Sequence, residues 1–223
     1  MMRDLIILGT GVHGGEMAHI VERINRQAPT WKLLGHIAPK ATERTEFAGN
    51  PVLGSVETFD AILAAHPAAL LVPDNEFPKS VPLPVDRLTN LIDPNSFIHP
   101  TVRIGKGCVL YPEAFVGLNA VIGNRVFALG GATINHDDVI EDLVVFASKV
   151  TLAGAVHVET GVYLGQSCTV RQRLRIGRNS TIGMGAVVVK HVEPNSIMVG
   201  NPARVLKMKS CIEVTGGCSC TVR

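Results

Sequence analysis

A histidine followed by two carboxylates is the group in this sequence best suited to acid–base chemistry. His136 follows Asn135 and precedes Asp137 and Asp138. Histidine titrates near neutral pH, and an adjacent carboxylate can orient its ring and raise its basicity. The segment makes His136 a candidate general base that either Asp137 or Asp138 could orient, with a solvated surface histidine as the alternative.

A glycine-rich loop near the N-terminus is the second candidate site. It has the spacing GxGxxG in Gly9, Gly11 and Gly14, and His13 lies inside it. A short apolar run precedes the loop and a helical stripe follows, as in loops that bind phosphate at a helix N-terminus. A dinucleotide site also needs an acid after the second strand, where this chain has Ala38-Pro39. We therefore expect phosphate or nucleotide-sugar binding, with a turn made only for packing as the alternative.

The five cysteines indicate neither a disulfide framework nor a metal site. Cys211, Cys218 and Cys220 gather near the C-terminus without a histidine or fourth cysteine, so we predict free thiols and no metal. Cys108 and Cys168 occupy small-residue positions of a repeat, which predicts buried filler rather than nucleophiles. An odd count without framework spacing suits a reducing cytoplasm, and we predict a cytoplasmic protein.

The element that must position His136 is a six-residue repeat covering nearly half of the chain. Sixteen of seventeen residues taken at every sixth position are large and apolar, and the register never slips. The series is Ile92, Ile98, Ile104, Leu110, Val116, Ile122, Ala128, Ile134, Ile140, Phe146, Leu152, Val158, Leu164, Val170, Ile176, Ile182 and Val188. A period of six fits neither a helix nor one strand. It predicts a solenoid of short strands and corners, in which we expect the glycines after the apolar residues to permit the bends.

The chain before the repeat has the pattern of a small α/β domain. Strands are predicted at Asp4–Leu8, Trp31–Ile37 and Ala69–Val72, with helices following the glycine loop and over Glu57–His66. Several prolines then predict a linker. We therefore divide the chain into a nucleotide-sugar-binding domain with linker at 1–90, a solenoid at 91–209 and a C-terminal tail at 210–223.

Composition excludes several classes of protein. The formal net charge is only +2 and the basic residues are dispersed, so nucleic-acid binding has no support. The longest apolar runs are too short for a signal peptide or a membrane span.

Several motifs together resemble the hexapeptide-repeat acyltransferases. They are the repeat itself, Ile-Asn-His-Asp at 134–137, Ile-Gly-Met-Gly-Ala-Val-Val at 182–188 and Gly-Asn-Pro-Ala-Arg at 200–204. With the N-terminal glycine loop, the resemblance narrows to the sugar N- and O-acetyltransferases of bacterial glycan pathways. It implies a Rossmann-like N-terminal domain followed by a left-handed parallel β-helix, and a homotrimer with active sites between neighbouring β-helices.

The same resemblance assigns roles to individual residues. It implies that His136 is the general base, that Asp137 is its acidic neighbour and that the Gly154 amide faces the thioester of acetyl-CoA. The segments lining the coenzyme groove would include Gly183, Gly185, Gly200, Pro202 and Arg204. The acceptor loop would contain Gly9, Gly11, His13 and Gly14.

The expected function is acetyl transfer from acetyl-CoA to the amino group of a nucleotide-linked amino sugar. O-acetylation of sialic acid or another sugar hydroxyl is one alternative, and a non-catalytic sugar-binding scaffold is another. A zinc hydratase with the same repeat would need three converging histidines, and the spacing of His99, His136, His157 and His191 fits no such cluster.

Overall fold

The computed structural model describes residues 1–209 in full, together with the backbone of 211–214 and 217–220. Contacts divide the chain into two units: Met1–Pro94 with Lys106–Val109, and Asn95–Gly105 with Leu110–Arg223. The predicted thiols of the three cysteines after residue 210 lie outside the described side chains.

The first unit is a five-stranded sheet with two helices. Its elements are β1 Arg3–Leu8, α1 Val12–Gln27, β2 Trp31–Ala38, β3 Glu46–Phe47, β4 Asn50–Ser55, α2 Phe59–Ala65 and β5 Leu70–Pro73. The strand order is β3-β4-β2-β1-β5, and all neighbours are parallel except β3 and β4. Single 3₁₀ turns lie at Val56–Thr58 and Val85–Arg87.

The sequence predicted three of these strands and both helices but missed the β3–β4 hairpin. Its two-residue turn consists of Ala48 and Gly49, both with positive φ. Without the Asn-Gly or Asp-Gly pair that marks most such turns, the hairpin had no clear sequence signal. Of the apolar stripe predicted on α1, Met17, Ile20 and Val21 are buried, and Ile24 is partly buried.

Seventeen two-residue strands follow, and all of them lie in the second unit except β6 and the first residue of β9; four longer strands come after them. The short strands are β6 Leu91–Ile92, β7 Phe97–Ile98, β8 Arg103–Ile104, β9 Val109–Leu110, β10 Phe115–Val116, β11 Val121–Ile122, β12 Phe127–Ala128, β13 Thr133–Ile134, β14 Val139–Ile140, β15 Val145–Phe146, β16 Thr151–Leu152, β17 His157–Val158, β18 Tyr163–Leu164, β19 Thr169–Val170, β20 Arg175–Ile176, β21 Thr181–Ile182 and β22 Val187–Val188. The longer ones are β23 Ser196–Val199, β24 Arg204–Met208, β25 Cys211–Val214 and β26 Gly217–Cys220.

Strands β7 to β24 form three faces, to each of which a coil contributes one strand, whereas β25 and β26 form a separate antiparallel pair. The first face is β7-β10-β13-β16-β19-β22, and the second is β8-β11-β14-β17-β20. The third contains, in order, β9, β12, β15, β18, β21, β23 and β24, of which the last pair is antiparallel. The predicted left-handed parallel β-helix is confirmed.

The second residue of each short strand from Leu110 onward points into the β-helix and is buried. Burial of each such aliphatic side chain contributes about 1.5–3 kcal/mol. Cys108 and Cys168 are buried as predicted, and burial raises the pKa of the Cys168 thiol to about 12.

The bends are made differently from the expectation. At most corners the left-handed residue is not a glycine but the third one after the inward residue, as at Asn119, Asp137 and Ala155. Gly117, which directly follows its inward residue, has no positive φ. A Cβ there would lie 2.9 Å from the backbone N of His136, so this glycine permits close approach between coils rather than bending.

Candidate active site

His136 lies on a corner of the β-helix, between the first face and the second. At this corner the turns of successive coils stack on one another. The Asp137 N–H donates to the Leu118 carbonyl at 2.8 Å, and the Ala155 N–H donates to the His136 carbonyl at 2.9 Å. The β-helix repeat thus places residues 118, 136 and 154 in one column along the corner.

Asp137 fixes the orientation of the His136 ring. The distance from His136 Nδ1 to Asp137 Oδ2 is 2.9 Å, and Asn119 Nδ2 donates to Asp137 Oδ1 at 3.2 Å. The hydrogen bond from His136, followed by that from Asn119, lowers the pKa of Asp137. Since a carboxylate only accepts, Nδ1 carries the proton and a neutral ring has its lone pair on Nε2.

The ring and its partner are both accessible. The exposed fraction is 61% for the His136 side chain and 51% for Asp137. An exposed imidazole with a free Nε2 lone pair can accept a proton from a bound molecule. The sequence missed Asn119, although it lies eighteen residues before Asp137, which is one full coil.

Gly154 lies directly against the imidazole. A Cβ at this position would be 2.4 Å from both Cε1 and Nε2 of His136, so only glycine leaves room for the ring. No acceptor among the described residues contacts the Gly154 N–H. At the next corner, equivalent amides are bound by carboxylates: Asn124 by Asp142 at 2.6 Å, Thr160 by Glu141 at 3.0 Å and Arg178 by Glu159 at 2.8 Å.

Asp138 differs from its neighbour Asp137. Its side chain is 0% exposed, and its carboxylate accepts the N–H groups of Asn135 and Val156, each at 2.7 Å. Burial raises the pKa of Asp138 to about 7. The sequence treated both aspartates as possible partners of the ring, but only Asp137 is hydrogen-bonded to it.

The residues expected to line the coenzyme groove lie together on another corner, between the third face and the first. Gly183 and Gly185 belong to the turn before β22. Val187 of that strand donates to the Gly200 carbonyl at 3.0 Å and accepts from the Ala203 N–H at 2.8 Å. Pro202 in this closing turn and Arg204 at the start of β24 are both exposed. The structure therefore groups these residues with one another but not on the corner of His136.

The glycine loop of the first unit joins β1 to α1, as predicted. The buried His36 ring donates from Nδ1 to the Gly9 carbonyl at 2.9 Å, and a Cβ on Gly14 would lie 2.5 Å from that oxygen. His13 lies in the first turn of α1, and its Nδ1 is 3.2 Å from Glu16 Oε2. The close approach explains the glycine at position 14.

A cavity of about 380 Å³ opens beside this loop. It is lined by Thr10, Gly11, Lys40, Arg44 and Glu76, among others. Gly11 is the one predicted acceptor residue in this lining. The two cations follow β2 in the stretch where a dinucleotide site would have its acid, and no periodic pattern in this segment of the sequence distinguishes them.

Within residues 1–209, no group of three or more His, Cys, Asp and Glu side chains is arranged to hold a metal ion. Neither helix among the described residues is both long and apolar enough to cross a bilayer.

Comparison with known sequences finds relatives that match part of the chain. No family model matches the chain. It is 32% identical over 111 residues to serine acetyltransferase 4 of Arabidopsis thaliana, covering 49% of this chain and 28% of that protein. It is 36% identical over 84 residues to an acyl-[acyl-carrier-protein]–UDP-N-acetylglucosamine O-acyltransferase of Gloeothece citriformis, covering 38% and 30%. The chain thus spans about a third of the length of these relatives.

Comparison with solved structures covers both units. The acetyltransferase domain of PglB from Neisseria gonorrhoeae, in complex with acetyl coenzyme A, matches with a TM-score of 0.77 at 22% identity, covering 92% of this chain and 100% of that one. A mutant GDP-perosamine N-acetyltransferase from Caulobacter crescentus, in complex with CoA and GDP-perosamine, matches with a TM-score of 0.79 at 21% identity, covering 93% and 98%. The chain has the fold of these acetyltransferases. The resemblance predicted from its sequence motifs is confirmed.

Proposed function

We propose that this protein transfers the acetyl group of acetyl-CoA to an amino group of a nucleotide-linked amino sugar, with His136 as the general base. The observation that carries the proposal is the exposed His136 ring, held by Asp137 on the surface of Gly154 with Nε2 available as an acceptor. The named activities of the similar proteins, which are acetyl and acyl transfer, support the same chemistry.

The reaction needs one proton acceptor and no covalent enzyme intermediate. The acceptor nitrogen attacks the thioester carbonyl carbon, and Nε2 of His136 takes the proton that this nitrogen loses. The carbon–sulfur bond then breaks, and the CoA thiolate leaves and is protonated from the imidazolium. General-base catalysis of this kind contributes about 10²–10⁴-fold. Asp137 stabilises the imidazolium that forms between the two proton transfers.

The Gly154 N–H is the proposed donor to the carbonyl oxygen as negative charge develops on it. An amide without a protein acceptor is suited to this role because it needs no rearrangement before the reaction. By resemblance, we assign Gly183, Gly185, Gly200, Pro202 and Arg204 to acetyl-CoA binding. Because they lie on a different corner from His136, a homotrimer with sites between neighbouring β-helices is part of the proposal.

The acceptor is proposed to bind through its phosphates to the first unit. The cavity beside the glycine loop offers two cations, Lys40 and Arg44, and the N-terminus of α1 with His13 begins at the same loop. The similar enzyme crystallised with CoA and GDP-perosamine is named an N-acetyltransferase, which favours nitrogen as the attacking atom. The cytoplasmic location predicted from the cysteines stays a prediction.

O-acetylation is a second candidate, because the sequence relatives include an enzyme named as an O-acyltransferase. The two functions differ only in the acceptor atom, and His136 would serve both. Mass spectrometry of the product before and after treatment with hydroxylamine separates the two functions, because hydroxylamine cleaves an acetyl ester but leaves an acetamide intact.

The decisive experiment measures CoA release from acetyl-CoA with UDP-, GDP-, dTDP- and CMP-linked amino sugars, alongside the matching sugars with a hydroxyl. We expect turnover with one nucleotide class, loss of at least about a hundredfold in His136→Ala, and the same oligomer in both proteins. If the sugars raise the melting temperature of the protein but none of them supports CoA release from acetyl-CoA, the protein is a non-catalytic sugar-binding scaffold. Full turnover by a folded His136→Ala protein would refute the assignment of the base.

A further inference from the structure

A regular series of backbone hydrogen bonds connects successive coils of the β-helix, and one bond of this series is missing at the turn that carries His136. Each inward apolar residue is followed by a residue whose N–H can bond to the next coil. From His99 to Gly183, this N–H donates to the carbonyl of the inward residue one coil later. Gly117 donates to the Ile134 carbonyl at 2.9 Å, and Ala153 donates to the Val170 carbonyl at 2.9 Å. Among these described positions Asn135 is the exception, since its N–H does not reach Leu152.

Side chains replace the missing bond. Asn135 Nδ2 donates to the Leu152 carbonyl at 2.9 Å, while the Asn135 N–H donates to Asp138 Oδ2 at 2.7 Å. The other oxygen, Oδ1, accepts the N–H of Val156 in the next coil at 2.7 Å. The strand pairing reflects the change, because β13 and β16 pair only at Thr133 and Thr151.

A carboxylate is foreign to the position of Asp138. The same hexad position holds Ala120 one coil earlier and Val156 one coil later, both of them buried and apolar. Burying an acid costs free energy unless its oxygens are hydrogen-bonded. Asp138 meets this condition through two backbone amides that belong to different coils, so its carboxylate ties the turn at 135–138 to the turn at 153–156.

We infer that Asp138 is a positioning residue which, together with Asn135, clamps the turn carrying His136 onto the turn carrying Gly154. The clamp replaces one backbone bond by three side-chain bonds and so sets the separation of the two turns at the point where the imidazole lies against Gly154. It holds the ring in register with the Gly154 N–H. This inference rests on the proposed function for its catalytic consequence, but its geometric content can be measured without turnover.

The test compares Asp138→Ala with a matched control in the full-length protein. Ser180 has the same hexad position and is also fully buried; its Oγ donates to the Glu193 carbonyl at 2.9 Å and accepts the Ser196 N–H at 3.1 Å. Ser180→Ala therefore also removes a buried cross-coil contact, but at a different corner. With acetyl-CoA and an amino-sugar nucleotide that supports turnover, we expect kcat to fall about tenfold to a hundredfold in Asp138→Ala and to stay within about twofold in Ser180→Ala.

The KM for acetyl-CoA should change little in Asp138→Ala, because the variant misplaces the base without removing a contact to the coenzyme. Asp138→Asn keeps the size of the side chain and one acceptor oxygen, so its kcat should lie between those of the wild type and Asp138→Ala. If Asp138→Ala does not fold, this near-isosteric variant carries the test. Equal kcat losses in Asp138→Ala and Ser180→Ala would reduce Asp138 to a structural role and overturn the inference.

A second readout needs no acceptor. Long-range ¹H–¹⁵N NMR of the imidazole rings distinguishes the two neutral tautomers, and His136→Ala identifies the signals of residue 136. We expect one Nδ1–H tautomer in the wild type and a mixture in Asp138→Ala. An unchanged single tautomer would contradict the clamp. If His136→Ala retains turnover while the mixture appears, the proposed function fails and the clamp stands.

Discussion

Asp74 in the first unit and Asp138 in the β-helix are both buried aspartates that accept two backbone N–H groups. Oδ1 of Asp74 accepts from Glu76 at 3.0 Å and Phe77 at 2.7 Å, which are its own near neighbours in sequence. Burial raises the pKa of Asp74 to about 6 and that of Asp138 to about 7.

The two acids differ in how far along the sequence their hydrogen-bond partners lie. Asp74 closes a single loop beside Gly9, whereas Asp138 joins its own turn to Val156, eighteen residues away. A local acid stabilises the loop that contains it, while a cross-coil acid couples two segments that meet only in the folded β-helix. In a repetitive structure, a site can thus be found as a departure from the repeat. In the irregular first unit, no regular pattern exists to depart from.

The largest expected effect separates the two candidate histidines. His136→Ala should lower kcat by about 10²–10⁴-fold because the proton acceptor is lost. His13→Ala should leave kcat within a few-fold and raise the KM for the nucleotide sugar about tenfold, because it would remove the polar contact proposed between this loop and the phosphate. Steady-state kinetics on both variants checks this division of labour. The same kinetic pattern in both variants would end it.

Gly154→Ala should lower kcat about a hundredfold, because the new methyl group displaces the imidazole from its place. Gly130 provides the control, since it occupies the same hexad position on the corner after the third face. A Cβ at Gly130 meets the Pro112 carbonyl at 3.5 Å, which is an ordinary contact. Gly130→Ala should therefore keep both turnover and melting temperature, as measured by CoA release and circular dichroism. Full activity in Gly154→Ala would show that the ring has more room than the geometry allows.

The two acids predict different pH windows for stability. Each has a pKa near 3.8 when unfolded and a raised pKa when folded, so the folded state binds its proton more tightly. Their contribution to stability is complete below about pH 4 and is lost as pH rises, up to about 6 for Asp74 and about 7 for Asp138. The slope for each is at most about 1.4 kcal/mol per pH unit.

Urea unfolding of the wild type, Asp74→Ala and Asp138→Ala across pH 4.5–8 (about the range of native stability) checks these windows. The stability difference between the wild type and each variant should decrease with pH and become flat earlier for Asp74. His136 and Asp137 are the charged groups that act on Asp138, so His136→Ala is the control for their influence. A difference that increases with pH would mean that the carboxylates fold in the charged form.

The smallest expected effect concerns the buried thiols of the two units. Cys108 in the first and Cys168 in the second are both fully buried, and the pKa of Cys168 is raised to about 12. Iodoacetamide at pH 8 (about half a unit below a free thiol pKa) should leave both unmodified in the native protein and label both in urea. Peptide mass spectrometry locates the label. Native modification of Cys168 would indicate that its coil opens.

The sequence predicts the β-helix well because inward burial acts at every sixth residue, and Leu152 or Ile176 can be placed without any knowledge of neighbouring coils. It also predicts that His136 is outward and next to an acid. It fails where contacts cross between coils. Asn119 and Asp138 act on groups that are distant in sequence, and the hexad rule assigns Asp138 only to a small-residue position.

From β7 to β22, neighbouring strands on each face lie eighteen residues apart, and each turn pairs with the turns before and after it. Whole coils can therefore be added to or removed from such a structure without changing the register of the remaining strands. Inserting one extra coil of eighteen residues after Val170 would lengthen the β-helix toward the C-terminus and leave the contact between His136 and Gly154 unchanged. The architecture thereby keeps the spacing of His136 and Gly154 independent of the number of coils that follow them.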